Sequence, residues 1–315
     1  MKKLNFKLFA ILFVAVSLLV SCASKPKAAA KATLTKTESR MFWRIDGTDA
    51  NGNPSTVYIQ GTFHLGDERI YPLSDEVQNA FMNADRWAGE ISTAGYEEIA
   101  AAGPALNAPN PDGKIVTDYL DENEVAFLQT VFGPNLPFVA GLEPWQSTTA
   151  LGVGMYTATG LSSEYGLDNS FIATLAQNGK SWDGLDEAKV QLDIITFGDY
   201  DTQIQMLKDT LKIFLDPENG EELTNLTVGL YDAYLSNDEK KITELFDESN
   251  EDEEEQAAFY KEYHDMVYAN RNKDWANDIT EYLAQGGTTF IFAGTAHWVG
   301  KDSVFNYLKK LGTIK

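Results

Sequence analysis

The sequence predicts an α/β (α+β) fold: a central mixed sheet completed by N- and C-terminal strands, with a large helical middle region. Three observations carry this. β-rich apolar runs stand near both ends, at residues 42–45, 56–60 and 288–293. Helix-period apolar residues recur through residues 121–246. With 43% apolar and 12% aromatic residues, the 315-residue chain can bury a sizeable core. Strands at the ends and helices between them suggest one unit whose sheet is closed by its two termini.

The elements follow in order. Phe42-Trp43-Arg44-Ile45, the turn formers Asp46-Gly47 and Asn51-Gly52-Asn53-Pro54, and then Thr56 to Gln60 read as strand, turn and strand. Ser74 is placed to cap a helix running to Ala84, with Val77, Ala80, Phe81 and Ala84 on one face. Arg86 to Ile91 reads as a third strand. Helices are predicted over residues 121–131, 144–159, 168–177, 187–196, 202–214, 221–235 and 239–246, with a short strand at 181–185. A charged helix from about Asp252 to Arg271 and another to Ala284 lead to Gly286-Gly287, the strand Thr288 to Ala293 and a closing helix, Ser303 to Leu311.

The first 21 residues read as an address. Lys2, Lys3 and Lys7 precede the apolar run Leu8 to Val20, which is short for a bilayer span and suits a secretory signal. The run ends in Leu19-Val20-Ser21-Cys22, which resembles a bacterial lipobox with Cys22 as the acylated residue. Residues 22–40, rich in Ala, Lys, Ser and Thr at their start, read as a flexible tether, and residues 41–315 as the folded domain. This predicts an extracytoplasmic protein held on a bacterial membrane, inner or outer, by a lipid anchor.

Cys22 is the one cysteine, which leaves the body without a disulfide, a thiolate metal site or a thiol nucleophile. A net charge of −22 argues against a nucleic-acid binder, since counterion release needs clustered Lys and Arg. Neither a G-x-S-x-G elbow nor a P-loop occurs. The run Glu251-Asp252-Glu253-Glu254-Glu255 lacks the calcium-loop spacing and reads as a solvated helix start or loop.

The chemistry lies in two histidines. His64 ends Tyr58-Ile59-Gln60-Gly61-Thr62-Phe63-His64 and His297 ends Ile291-Phe292-Ala293-Gly294-Thr295-Ala296-His297, so strand, Gly, Thr, any residue, His occurs twice, 233 positions apart. Each His would project beyond a strand's carboxyl end, where open α/β sheets bind ligands. On neighbouring strands the two imidazoles face one cleft and suit a divalent metal ion such as Zn, Mn or Co, with positions left open for water and substrate. Glu90 closes the strand Arg86-Trp87-Ala88-Gly89-Glu90, which a right-handed crossover would lay beside the first His strand. It is the candidate third ligand, or the general base, or an acid paired at the sheet edge. Arg271 is a candidate oxyanion or carboxylate donor, or else an ion-pair partner. Asp168 either supports a ligand or caps its helix. His264 reads as a surface residue.

The doubled G-T-x-H, with Glu90 in the segment Ala84-Asp85 to Glu90, resembles the TraB/GumN family, which includes the membrane-tethered, metal-dependent Tiki proteases. Glu164-Tyr165-Gly166-Leu167-Asp168, Gly184-Leu185-Asp186 and Arg271-Asn272 extend the similarity, although Asp186 stands where relatives usually have Glu and Asn270 where an acid commonly precedes Arg-Asn. The resemblance implies a compact fold in which both G-x-x-H segments meet, with His64, Glu90 and His297 at the centre and Asp168 and Asp186 behind them. It implies a hydrolase acting on a peptide or protein substrate. The alternative is a non-catalytic surface lipoprotein that binds a peptide, signal molecule or haem in the same cleft, with Trp298 at its mouth.

Overall fold

The computed structural model describes residues 31–157, 159–248 and 258–315. Cys22, the leader and the acidic run 251–255 lie outside the described residues. Six strands form one mixed sheet: β1 (Thr33–Lys36), β2 (Phe42–Thr48), β3 (Pro54–Thr62), β4 (Arg86–Ile91), β5 (Asp183–Asp186) and β6 (Gly287–Gly294), in the spatial order β1-β2-β3-β6-β4-β5. The first three are antiparallel neighbours, while β3, β6, β4 and β5 run parallel. The sheet is therefore completed by both ends of the chain, as the terminal strand runs predict.

Two details differ from the sequence expectation. The C-terminal strand β6 inserts between β3 and β4, so the Glu90 strand is parallel to the His64 strand but one position removed. The stretch read as tether contains β1, which pairs with β2 from Thr33↔Asp46 to Lys36↔Trp43. Ala32 also bridges Ile314, so the folded body begins before Met41.

The helices α1 (Asp75–Met82), α2 (Thr93–Leu106), α3 (Glu122–Phe132), α4 (Leu136–Val139), α5 (Pro144–Thr157), α6 (Leu167–Gln177), α7 (Ala188–Ile195), α8 (Tyr200–Leu215), α9 (Pro217–Leu235), α10 (Glu239–Glu248), α11 (Ala258–His264), α12 (Arg271–Gln285) and α13 (Val304–Leu311) connect the strands. Several start where local chemistry directs. The Ser74 hydroxyl accepts from the Val77 amide at the head of α1, and Asp121 and Glu124 form a capping box on α3. Helix α2 is not anticipated from the sequence, because Gly95, Gly103 and Pro104 mask its period. A six-residue π-helical stretch, Asp265–Asn270, joins α11 to α12 where one charged helix is expected.

The main core lies on the sheet. Phe290 on β6 is fully buried, and its ring centroid lies 5.2 Å from that of Phe81 on α1 and 5.3 Å from that of Phe171 on α6. These contacts clamp both helices over the strand that carries His297. Truncating such a ring to Ala costs about 3–5 kcal/mol. A second cluster, built on Val116, Leu128, Leu151, Leu207 and Leu211, holds α3, α5 and α8 together away from the sheet.

Candidate functional site

The four parallel strands end on one side of the sheet, and each delivers a polar residue there. β3 runs into His64, β4 carries Glu90, β5 ends at Asp186, and β6 leads through Gly294 into the short turn Thr295–His297. The registers Thr62↔Gly294 and Ala88↔Ile291 bring these ends level. The two G-T-x-H segments are locked together where they leave the sheet, since the Thr295 hydroxyl donates to the Thr62 carbonyl over 2.9 Å. Gly166 also matters: a side chain there would collide with the His64 carbonyl, so its absence lets the start of α6 close on the His64 loop.

Gly294 sits at the centre. A Cβ on this residue would lie 3.2 Å from Glu90 Oε1, 3.6 Å from His64 Nε2 and 3.7 Å from His297 Cδ2. His64, Glu90 and His297 thus converge around one glycine, although 233 residues separate the two imidazoles. The Gly294 amide donates to Glu90 Oε1 over 2.9 Å, and His64 Nε2 is 3.9 Å from the same oxygen.

Hydrogen bonding assigns the state of His297. Asn272 Nδ2 donates to the Asp302 carbonyl over 2.7 Å, which turns its Oδ1 toward His297 Nδ1 at 2.5 Å. An amide oxygen only accepts, so Nδ1 carries the proton and Nε2 presents a lone pair to the cleft. Burial and the nearby Arg271 charge push the His297 pKa well below its usual value, which keeps the ring neutral.

His64 behaves differently. Burial lowers its pKa, but the carboxylates of Asp168 and Glu90 outweigh that and raise it to about 9. The side chain is 48% exposed, so desolvation opposes the charged form weakly and the upward direction stands. Asp168 Oδ1 is 3.1 Å from His64 Nδ1, an ion pair off the alignment of a hydrogen bond. Asp168 is not the cap of α6. Gly166 holds that position, and Asp168 in the first turn is free to face His64.

Behind these three lies a buried ion network. Arg271, with a side chain 1% exposed, spends all five N–H donors inside the protein. Its Nε donates to Asp186 Oδ2 over 2.8 Å, Nη2 lies 2.6 Å from both Glu90 Oε2 and Asp186 Oδ2, and Nη1 reaches the Val267 carbonyl at 3.1 Å and His297 Nε2 at 3.3 Å. None is left for a substrate carboxylate or an oxyanion, so the ion-pair alternative describes this arrangement. The Glu90 carboxyl is driven well below its ordinary range: burial raises it, but the Arg271 guanidinium first, then the His64 charge and the Gly294 amide, outweigh burial. Burial raises the Asp186 carboxyl against the pull of Arg271. Asp186 also accepts from Trp275 Nε1 over 2.6 Å and from Gln191 Nε2 over 2.8 Å.

Asn272 enters the sequence reading as half of the Arg271-Asn272 pair but not as the partner of His297, and Trp275 and Gln191 join the site without having been marked as site residues. The signal for two of them lay in their spacing: Asn272 follows Arg271, and Trp275 stands one turn after it on α12. His264 is half-buried near the surface on α11. Its ring lies 5.1 Å from Tyr268 on the π-helical stretch, and Tyr268 lies 5.4 Å from His297. Trp298 is buried at 1% exposure and donates to the Ala293 carbonyl, so it does not stand at the cleft mouth.

Among the described residues, no group of three or more His, Cys, Asp or Glu side chains is disposed as a ready metal cage. The Arg271 guanidinium rests against the His297 lone pair that an ion would use. The donor chemistry nevertheless fits a divalent ion. His297 offers a bare Nε2, His64 directs its Nε2 toward Glu90, and the glycine between them leaves room. Asn272 and Asp168 hold the far nitrogens as carboxylates and amides do behind metal-bound histidines. An ion held there would need Arg271 to release His297 Nε2 and His64 to release its proton.

No helix among the described residues is long and apolar enough to cross a membrane. No solved structure matches the chain. It is 27% identical over 313 residues to an uncharacterized protein of Treponema pallidum (strain Nichols), covering 96% of this chain and 90% of that one. The profile of the TraB/PrgY/gumN family matches residues 41–314, from the start of β2 to the Ala32-paired C-terminus, and so includes both histidines, Glu90 and the Arg271-Asn272 pair. The chain belongs to the TraB/PrgY/gumN family.

Proposed function

We propose that the protein is a membrane-tethered, metal-dependent hydrolase that cleaves peptide or protein substrates at the carboxyl ends of the parallel strands. The observation that carries this reading is the convergence of His64 Nε2, Glu90 and His297 on Gly294. His64, His297 and Glu90 would hold the ion, which when bound lowers the pKa of a coordinated water and polarises a carbonyl. The chain's own residues do the rest. Asn272 fixes the His297 tautomer, and Asp168 orients His64. Arg271 keeps Glu90 ionised and held in place. The half-exposed His64 marks the side from which substrate enters, while Arg271 and Asp186 close the floor to water.

Capture of haem or a peptide without turnover finds less support, because buried Trp298 offers no ring to a ligand. The lipid anchor at Cys22 remains part of the proposal on the strength of its lipobox-like context. The test is cleavage of a mixed-sequence peptide library by the full chain loaded with Zn, Mn or Co. Turnover that chelator abolishes and that His297→Ala lacks supports the reading; peptide binding that survives chelation without any cleavage overturns it.

A further inference from the structure

We propose that the face formed where the two chain ends join is a docking surface for an anionic phospholipid membrane, and that it holds the hydrolytic cleft away from the bilayer. The Ala32 amide donates to the Thr313 carbonyl over 2.8 Å and the Lys315 amide to the Ala32 carbonyl over 3.1 Å, so Lys31 and Lys315 flank one parallel bridge, Ala32 opposite Ile314. Lys309 and Lys310, in the last turn of α13, sit just before this junction. All four lysines are exposed, and so is Leu311, at 52%.

The charge distribution sets this face apart. The chain holds 47 acidic residues, yet none falls within residues 1–37 or 303–315, and residues 303–315 carry three lysines. Among the described residues no carboxylate lies within ion-pair distance of Lys31, Lys309, Lys310 or Lys315. Lys310 instead lies 4.4 Å over the Tyr307 ring. Lysines in a helix's last turn do complement its dipole, but that account does not extend to Lys31 or Lys315. Unpaired lysines around an exposed leucine match an anionic headgroup layer.

The chain that leaves this face runs ten residues from Ala32 back to Cys22, a span of at most about 35 Å. A body of net negative charge tethered that closely is repelled by an anionic leaflet wherever its acidic surface comes within a screening length of about 8 Å. Turning the lysine face inward lessens the repulsion, with Asp46, Asp49 and Asp85 as the carboxylates near the same strand ends. Thr33 pairs with Asp46, Asp46 with Thr56 and Thr56 with Thr288, so the junction lies at the amino ends of β3 and β6. His64 and His297 lie past the opposite ends of the same strands, which puts the cleft roughly 20 Å farther from the surface and open to substrates in the aqueous phase.

The test is lysine acylation footprinting of the full chain in nanodiscs of pure phosphatidylcholine and of phosphatidylcholine with 30% phosphatidylglycerol, read by mass spectrometry. A retained apolar leader and an acylated Cys22 both keep the chain on the disc, so the footprint reads the face whichever holds it. We expect Lys31, Lys309, Lys310 and Lys315 to be labelled at least fivefold more slowly on the anionic discs, with Lys114 and Lys189 unchanged. In the Lys309→Glu, Lys310→Glu, Lys315→Glu variant, protection of Lys31 should vanish. Equal labelling on both discs, protection of Lys114 or Lys189 in place of the four, or persistence of Lys31 protection in the variant would overturn the proposal.

Discussion

His297 Nδ1 lies 2.5 Å from Asn272 Oδ1, and the Asn272 amide group is itself fixed by its bond to the Asp302 carbonyl. A residue on α12 thereby decides which nitrogen of a histidine after β6 faces the cleft. Asn272→Leu removes the acceptor and frees the ring to flip or change tautomer. Divalent-ion affinity should fall 10–100-fold, as measured by calorimetric titration. Unchanged affinity would show that the tautomer is set elsewhere.

Gly294→Ala tests the space between the ligands. The backbone there has a negative φ of −50°, which alanine tolerates, while its Cβ would stand 3.2 Å from Glu90 Oε1. The apoprotein should fold with little change in melting temperature, and metal uptake should be lost. Full uptake by this variant would place the ion elsewhere.

Arg271 sets one positive charge against two buried carboxylates. Arg271→Met leaves Glu90 and Asp186 without their counter-charge and should destabilise the fold by about 3–5 kcal/mol in denaturant titrations. Adding Asp186→Asn removes one of the stranded charges and should recover part of the loss. A single variant that costs under about 1 kcal/mol would contradict the network described here.

His64 gives the site a pH signature. Its folded pKa of about 9 lies above the ordinary 6.5, so the protonated ring stabilises the apoprotein. That contribution is complete below pH 6.5 and is lost as pH rises toward 9. An ion needs the unprotonated ring, so metal affinity should strengthen through the same window, with one proton released per ion bound. Asp168→Asn should shift the window downward. Proton release can be followed by titrating in buffers of different ionisation enthalpy; a pH-independent affinity between 6.5 and 9 would count against His64 as a ligand.

Much of this site could be read from the sequence because it rests on local signals. The two G-T-x-H segments sit at strand ends, and Glu90 is the lone acid closing an apolar strand. What could not be read was long-range. Nothing local in Gly287–Gly294 says that it inserts between β3 and β4, because that choice is made by Phe290 packing on Phe81 and Phe171. Gln191 escaped because an amide on an amphipathic helix looks like a solvated position until a buried partner is known, and Asn272 was legible as half of the Arg271-Asn272 pair but not as the acceptor for His297. β1 escaped because Thr33–Lys36 is an edge strand whose pairing depends on the C-terminus closing over Ala32.

The claim on which the account turns is that two histidines distant along the chain share one cation. It is tested most directly by counting divalent ions per chain in the purified full-length protein and in its His64→Ala, Glu90→Ala and His297→Ala variants. One tightly held ion is expected in the parent, with severe loss in all three variants. The same ion content in all four proteins would contradict it.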